Sequence, residues 1–437
     1  MLENSIVYCE ILIFDKHKYL SIILLGEIVA MTCLEGFKEK YGKELLREEY
    51  VKRVLFDIAS DFNYKKIVIP ILERENSFSE QIVGNSPWPE WNKKSCFYFD
   101  IHNYYDDYSQ SQKEKVLLIP EGTVSVTRWI ADQIEVNKVK FPIKLFYMLN
   151  CYRNELISML TETKRREFEQ FGLEILGSDS LLSDVEALNM VCLCLERLGV
   201  NKNCMRPRIN NVAIYRMLVK DSKISERNSL VIKECLDNIA ESKAGKHPEL
   251  LQKYKNKIYE ILESKKLSKK CKLMWRAIIE SSYNELDKLK SVFDSKYHAY
   301  FNELDLIREN FALNDINILI DPCVIRSHEY YTGLSFEFDV IVENAHFIEI
   351  AGGGRYDRLV GRFLIQHNKI DKVPCTGFAF GFERLIDMLD KLGLFRGKKQ
   401  VKTLFCFGQN SKKQVKAKSI QHYFELSQKK NLEILID

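Results

Sequence analysis

Apolar side chains recur at Leu46, Tyr50, Val54, Ile58 and Phe62, and this helical spacing predicts a helix over residues 43–62. The run Lys66–Leu72 is β-branched and predicts a strand. Pro70 has no backbone donor, which places that run at a sheet edge or an interface. Residues 84–115 are polar and aromatic with little periodicity, as expected of loops or a hairpin. Val116–Ile119 predicts a short strand, Pro-Glu-Gly-Thr at 120–123 a turn, and the pattern then becomes helical from about Val124. Two strands are predicted at Leu145–Glu155 and Glu167–Leu176, joined by the loop Leu156–Arg166, whose end is basic. Asp184–Leu198 predicts a helix stopped by Gly199.

Residues 220–310 are rich in Lys and Glu at helical spacing, with Pro248 the single proline, and predict a helical insert. Strands at Leu334–Val342 and Phe347–Ala351 follow, then a Gly-Gly-Gly turn and a strand-to-helix passage at Gly377–Leu389. Residues 392–400 predict a polar linker. Val401–Phe407 and Leu432–Ile436 predict strands flanking a helix, the opening of an α/β unit expected to be cut short. Antiparallel strands interrupted by a helical insert predict an α+β fold. The expected organisation is an extension over 1–34, a main body of 35–219 and 311–391, an insert over 220–310, and a partial unit over 401–437.

The chain has 437 residues and a formal net charge of +4, so a nucleic-acid partner would need a local basic patch rather than bulk charge. Its 12 cysteines include no Cys-x-x-Cys pair; the tightest spacing is Cys192 to Cys194. That suits neither a zinc site nor a disulfide framework and predicts reduced, core-filling thiols in a cytoplasmic protein. The apolar stretch Leu20–Met31 is too short to span a membrane and contains Glu27, so no membrane partner is expected.

Five segments hold candidate chemistry. In Glu167–Gly177, alternation puts Phe171, Leu173 and Ile175 on a core face. Phe168, Gln170 and Glu174 share the other face, with Gly172 leaving space between them, an arrangement suited to a small polar ligand with a flat ring. Arg153 and Glu155 close the preceding strand two residues apart, and the planar fork of arginine suits a phosphate or carboxylate. Arg326 opens Arg-Ser-His-Glu-Tyr-Tyr-Thr-Gly (326–333), where Tyr330 and Tyr331 would point opposite ways if extended. Ala-Gly-Gly-Gly-Arg-Tyr-Asp (351–357) allows close backbone approach to a ligand but is neither a Walker loop nor a dinucleotide fingerprint. Thr376–Leu385 puts Arg384 near the start of a helix after two glycines.

In this order the segments resemble those of class II aminoacyl-tRNA synthetases of the histidyl type, over roughly residues 35–437. Ile67–Leu72 resembles the dimer-forming first motif, Tyr152–Glu155 through Phe168 the second, and Gly377–Leu385 the third. Pro120–Thr123, Arg326–Gly333 and Ala351–Asp357 resemble the histidine signatures. The resemblance implies a histidine–tRNA ligase that uses ATP and Mg²⁺, takes histidine and tRNA(His), and forms a homodimer. It implies catalytic roles for Arg153 and Arg326, and histidine contacts from Glu121, Thr123, Gln170, Glu174, Tyr330, Tyr331 and Tyr356. It further implies ATP contacts from Arg153, Glu155, Arg166, Phe168 and Arg384; no metal-ligating side chain is assigned.

The chain departs from the family pattern in places. The loop 156–164 lacks the usual proline and glycine, and Ser327-His328-Glu329 stands where the family has Gly-Leu-Asp or Gly-Leu-Glu. Two other readings stand beside the ligase. One is a non-catalytic histidine-sensing paralogue of the ATP phosphoribosyltransferase regulatory type; the other is a paralogue that adenylates histidine without charging tRNA.

Overall fold

A computed structural model describes residues 33–84, 93–104, 111–326, 329–342, 347–364 and 370–395. The stretch Leu20–Met31 and the partial unit from Val401 lie outside these residues. The chain runs α1 (Lys43–Asp61), β1 (Lys65–Lys66), β2 (Leu72–Arg74), α2 (Glu80–Val83), β3 (Tyr98–Tyr104), β4 (Ser111–Leu118), α3 (Thr123–Glu135), β5 (Ile143–Tyr152), β6 (Glu167–Leu176) and α4 (Leu181–Arg197). It continues through β7 (Met205–Asn211), α5 (Val212–Asp221), α6 (Glu226–Lys243), α7 (Leu251–Glu263), α8 (Lys269–Glu280), α9 (Leu286–Val292) and α10 (Ser295–Ala312). The last elements are β8 (Leu319–Ile320), β9 (Leu334–Ile341), β10 (Phe347–Arg355), α11 (Leu359–Leu364), β11 (Cys375–Gly381) and α12 (Phe382–Lys391).

Eight strands form one sheet in the order β1-β5-β6-β11-β10-β9-β7-β8. The interior pairings are antiparallel, and the two edge strands β1 and β8 pair in parallel with their neighbours. The fold is α+β, as the strand pattern predicted. One face of the sheet carries an aromatic file: Phe56 of α1 lies 5.4 Å from Phe146, Phe146 lies 6.1 Å from Phe171, and Phe171 lies 6.3 Å from Phe380. Phe171, Leu173 and Ile175 are buried on that face, which leaves the alternate residues of β6 to the other.

Three local expectations need correcting. In α1 the buried stripe is Val51, Leu55, Ile58 and Ala59, whereas Leu46 and Phe62 are exposed. Steps of four drift about 40° each on a helix of 3.6 residues per turn, so five such positions cannot share one face. The run Lys66–Leu72 is not one strand. Lys66 pairs with Phe146 in the large sheet and Leu72 with Leu118 in the three-stranded sheet β2-β4-β3, so Pro70 sits at the crossing between them. The three glycines Gly352–Gly354 do not turn the chain; they lie within β10. A Cβ on Gly353 would come 2.3 Å from the Gly377 carbonyl, and one on Gly354 2.3 Å from the Leu334 carbonyl. The glycines permit close strand packing, not reversal.

Helices α6–α10 pack onto the β7–β9 end of the sheet. Arg208 of β7 is fully buried and donates to Glu337 (2.6 Å), to Asp339 (2.7 Å) and to the Ala240 carbonyl in α6 (3.1 Å). Lys243, at the end of α6, pairs with the buried Asp321 at 3.0 Å. These charge-assisted bonds fix α6 against the sheet. Among the described residues no helix is long and apolar enough to cross a membrane.

Candidate active site

A cavity of about 660 Å³ opens on the non-aromatic face of the sheet, between β6, β10, β11, the start of α3 and the flank of α6. Its floor is built around Glu174. The Thr123 hydroxyl donates to Glu174 Oε1 at 3.0 Å and the Tyr147 hydroxyl donates to the same oxygen at 3.2 Å; Tyr356 donates to Oε2. Gly377 stands opposite Glu174 in the β6–β11 ladder, and a Cβ there would come 1.9 Å from Oε2, so the carboxyl lies directly on the neighbouring strand. Burial pushes the Glu174 carboxyl up to about 8 even though three hydroxyls favour its anion. Near neutral pH this group can therefore exist as a proton donor or as an acceptor.

Beside it Glu121, just ahead of α3, closes the helix start: its carboxylate accepts from the backbone N–H of Thr123 at 2.8 Å and of Val124 at 3.0 Å. Burial also raises this carboxyl above its ordinary range, against the pull of those two N–H groups. Gln170 Oε1 accepts from the Gly122 N–H at 2.9 Å, which ties β6 to the turn before α3. Tyr330 and Tyr331 both line the cavity, with ring centroids 5.0 Å apart. The expectation that one must face away assumed an extended chain, but Glu329 and Tyr330 lie in a turn. Burial pushes the Tyr331 phenol up to about 12, so it keeps its proton.

Three arginines from distant parts of the chain line the same cavity: Arg153, Arg326 and Arg384. Arg153 Nε donates to the Pro120 carbonyl at 3.1 Å, and its guanidinium lies 5.1 Å over the Phe168 ring. Arg326, with φ of 57°, sends NH1 to Glu337 at 3.2 Å and to Glu349 at 3.0 Å, while its buried Nε has no hydrogen-bond partner among the described atoms. A buried orphan donor on a cation fits an anionic ligand. Arg384, at the start of α12, has a more exposed side chain than Arg326, 43% against 18%.

Glu155 also lines the cavity and pairs with Lys164 at 3.3 Å. Arg166 is not among the lining residues: its Nε donates to the Glu155 carbonyl at 3.2 Å and NH1 to the Glu35 carbonyl at 3.4 Å, and Arg165 lines the cavity instead. Strand alternation begins at Glu167 and does not extend into the loop before it. The space beside Gly172 is also not left for a ligand. A Cβ there would come 2.2 Å from the Tyr147 ring, and one on Gly122 would come 2.5 Å from it, so Tyr147 fills the gap. Tyr147 was missed in the sequence, although a phenol alternating with Leu145, Leu149 and Cys151 on a buried strand face is a visible signal. Glu337 and Glu349 were missed as well, as were Asp237 and Glu241, which form the cavity wall on the α6 side. Asp237 Oδ1 is buried without a partner among the described atoms, and burial raises its carboxyl far above the usual range.

The site thus joins a slot of carboxyl and hydroxyl groups to a cationic rim. Such a cavity can grip a small polar ring at one end and a polyanion at the other. A family model described as histidyl-tRNA synthetase matches residues 36–385. The chain is 27% identical over 363 residues to a histidine–tRNA ligase of Sulfolobus acidocaldarius, covering 82% of this chain and 75% of that one. It is 26% identical over 374 residues to that of Methanocaldococcus jannaschii, covering 84% and 78%. Among solved structures it resembles histidyl-tRNA synthetase from Nostoc sp. PCC 7120, with TM-score 0.66, 21% identity and coverage of 94% and 86%. It also resembles an ATP phosphoribosyltransferase regulatory subunit/histidyl-tRNA synthetase from Bacillus halodurans, with TM-score 0.67, 18% identity and coverage of 93% of each chain. These structural likenesses establish a shared fold.

Proposed function

Because this chain belongs to the histidyl-tRNA synthetase family, we propose that it is a working histidine–tRNA ligase, activating histidine with ATP and transferring it to tRNA(His). The reading rests on one observation: Arg153, Arg326 and Arg384 line one cavity with Glu174 and Tyr331. In this reading Glu174 and Tyr356 hold the imidazole, with Tyr330 and Tyr331 enclosing it. Glu121, Thr123 and Gln170 receive the α-amino group. A slot that pairs both ring nitrogens rejects apolar isosteres, because its polar groups would be left buried and unmatched.

ATP enters as its Mg²⁺ complex. Phe168 stacks on the adenine, Arg153 and Arg326 hold the α-phosphate and the histidine carboxylate, and Arg384 holds the far end of the triphosphate. Glu155 sits at the mouth. The histidine carboxylate attacks the α-phosphorus, the P–O bond to pyrophosphate breaks, and pyrophosphate leaves with that electron pair. No protein nucleophile takes part; the residues supply position and positive charge. The terminal ribose hydroxyl of the tRNA then attacks the adenylate carbonyl and AMP departs. Val68, Ile71 and Leu72 are exposed apolar residues at the crossing between the two sheets, and we assign that surface to a homodimer contact.

The test is histidine-dependent ATP–pyrophosphate exchange followed by charging of a total tRNA pool, with both activities expected. Exchange without charging would leave a histidine-adenylating enzyme that serves another acceptor. Histidine binding without exchange would leave a sensor.

A further inference from the structure

Glu349 joins three parts of the chain that are far apart in sequence. Its Oε1 accepts from Arg326 at 3.0 Å and its Oε2 from Lys246 at 2.9 Å; Arg384 NH1 lies 3.6 Å from Oε2 and 3.5 Å from the Glu349 carbonyl oxygen. Lys246 follows α6 and also reaches Glu241 of that helix at 3.3 Å. Burial alone would raise the Glu349 carboxyl, but the charges of Lys246, Arg326 and Arg384 hold it well below the usual range.

The backbone explains how this residue comes to face the cavity. The ladder between β9 and β10 shifts register between Glu349, opposite Asp339, and Ala351, opposite Phe338; Gly352 then stands opposite Glu337. In a regular strand Glu349 and Gly352, three apart, would point to opposite faces. The extra residue, Ile350, puts them on the same face, the one that carries Glu337 and Asp339. Arg326 then lies flat over Gly352, where a Cβ would come 2.3 Å from its NH2.

We propose that Glu349 is a positioning residue for the phosphate-holding arginines: one half-buried carboxylate that fixes Arg326 and Arg384 at a set spacing and is itself fixed by Lys246. The inference rests on the reading of the cavity as a triphosphate site. It gives the helical insert an indirect part in nucleotide binding, since Lys246 belongs to the insert and acts through Glu349 without lining the cavity.

The experiment compares the full-length wild type with Glu349→Gln and Lys246→Gln. It measures MgATP affinity by calorimetry, KM for ATP and for histidine in pyrophosphate exchange, and the melting temperature. Glu349→Gln is expected to weaken MgATP binding and raise KM for ATP roughly tenfold or more, as expected when a charged hydrogen bond that orients a cation is lost. KM for histidine rises clearly less than KM for ATP, because Arg153 still holds the histidine carboxylate beside Arg326. Lys246→Gln reproduces the same split at smaller size, and it serves alone if Glu349→Gln does not fold. Equal losses for ATP and histidine that track the melting temperature would overturn the positioning role, as would unchanged ATP parameters in a folded variant. A wild type that binds MgATP without exchange, with binding weakened by Glu349→Gln, would sustain this inference while the ligase reading fails. A wild type that does not bind MgATP would end both.

Discussion

The Thr123 hydroxyl and the Glu174 carboxyl, on α3 and β6, meet at 3.0 Å across the floor of the cavity. With Tyr147 and Tyr356 also donating to it, Glu174 carries three O–H donors yet remains pushed up to about 8 by burial. An imidazole N–H is accepted much more strongly by the anion of that carboxyl than by its acid form. The ionised fraction grows as pH rises through about 8, so KM for histidine should fall roughly tenfold between pH 6.5 and 8. The slope should vanish in Glu174→Gln. Pyrophosphate exchange across that range checks both, and the same slope in wild type and variant would assign the titration to another group.

The same raised pKa has a consequence for stability. A carboxyl that titrates near 4.5 unfolded and near 8 folded binds more protons in the native state between those values, so its contribution to stability declines as pH rises from 4.5 to 8. Glu174→Gln removes that penalty. The variant should be more stable than wild type at pH 8.5, by up to about 5 kcal/mol, and the gap should close toward pH 4.5. Denaturant titrations at the two pH values measure it; a variant less stable at pH 8.5 would show that the Glu174 anion is stabilising in the fold.

Much of this arrangement was legible in the chain. The alternation of β6 separated Phe171, Leu173 and Ile175 from Phe168, Gln170 and Glu174 because a strand has one strict period. What was hidden depended on contacts between remote segments. The space at Gly172 looked open because Tyr147, 25 residues earlier in the chain, supplies the ring that fills it. Glu349 escaped notice because one bulged residue reverses the face it would otherwise take. Arg166 entered the ATP set through the resemblance alone, and it lies in the loop just before β6. Asp237 and Glu241 read as the ordinary polar face of a helix until the docking of α6 turned them toward the cavity.

Gly352 allows the Arg326 guanidinium to rest on β10, with the nearest atoms 2.3–2.6 Å from where a Cβ would lie. Glu337 and Glu349 both accept from NH1 of that guanidinium, so it cannot shift and keep both partners. Gly352→Ala should therefore displace Arg326 and reduce exchange by at least about tenfold, with histidine binding still measurable. Arg326→Ala should show the same pattern more strongly. Full exchange in both variants, measured beside histidine calorimetry, would remove Arg326 from the chemistry.

Arg208 is fully buried between Glu337 and Asp339, at 2.6 and 2.7 Å. Arg208→Met keeps much of the apolar stem but leaves two carboxylates facing each other without their cation. Breaking a buried ion pair from one side costs about 3–5 kcal/mol, so denaturant unfolding should register a loss of that size. Adding Glu337→Gln and Asp339→Asn to Arg208→Met should recover part of it, because the repulsion is removed with the cation. An Arg208→Met variant as stable as wild type would mean that the carboxyls take up protons at little cost.

The last test concerns the loop between β5 and β6. Leu156, Ile157 and Met159 are exposed, at 65%, 61% and 44%, and toward the end of the loop Lys164 and Arg165 line the cavity. Apolar side chains followed by cations at a cavity mouth fit the end of a single-stranded nucleic acid, whose bases stack while its phosphates meet positive charge. Ile157 does not line the cavity and is not needed for adenylate formation in this scheme. Ile157→Asp adds a negative charge where the phosphates of the tRNA end would pass. Pyrophosphate exchange should stay within about twofold of wild type while charging falls roughly tenfold at low salt, and the deficit relative to wild type should shrink as salt is raised, because salt screens the added repulsion. Charging that survives the substitution at both low and high salt would move the acceptor end of the tRNA away from this loop.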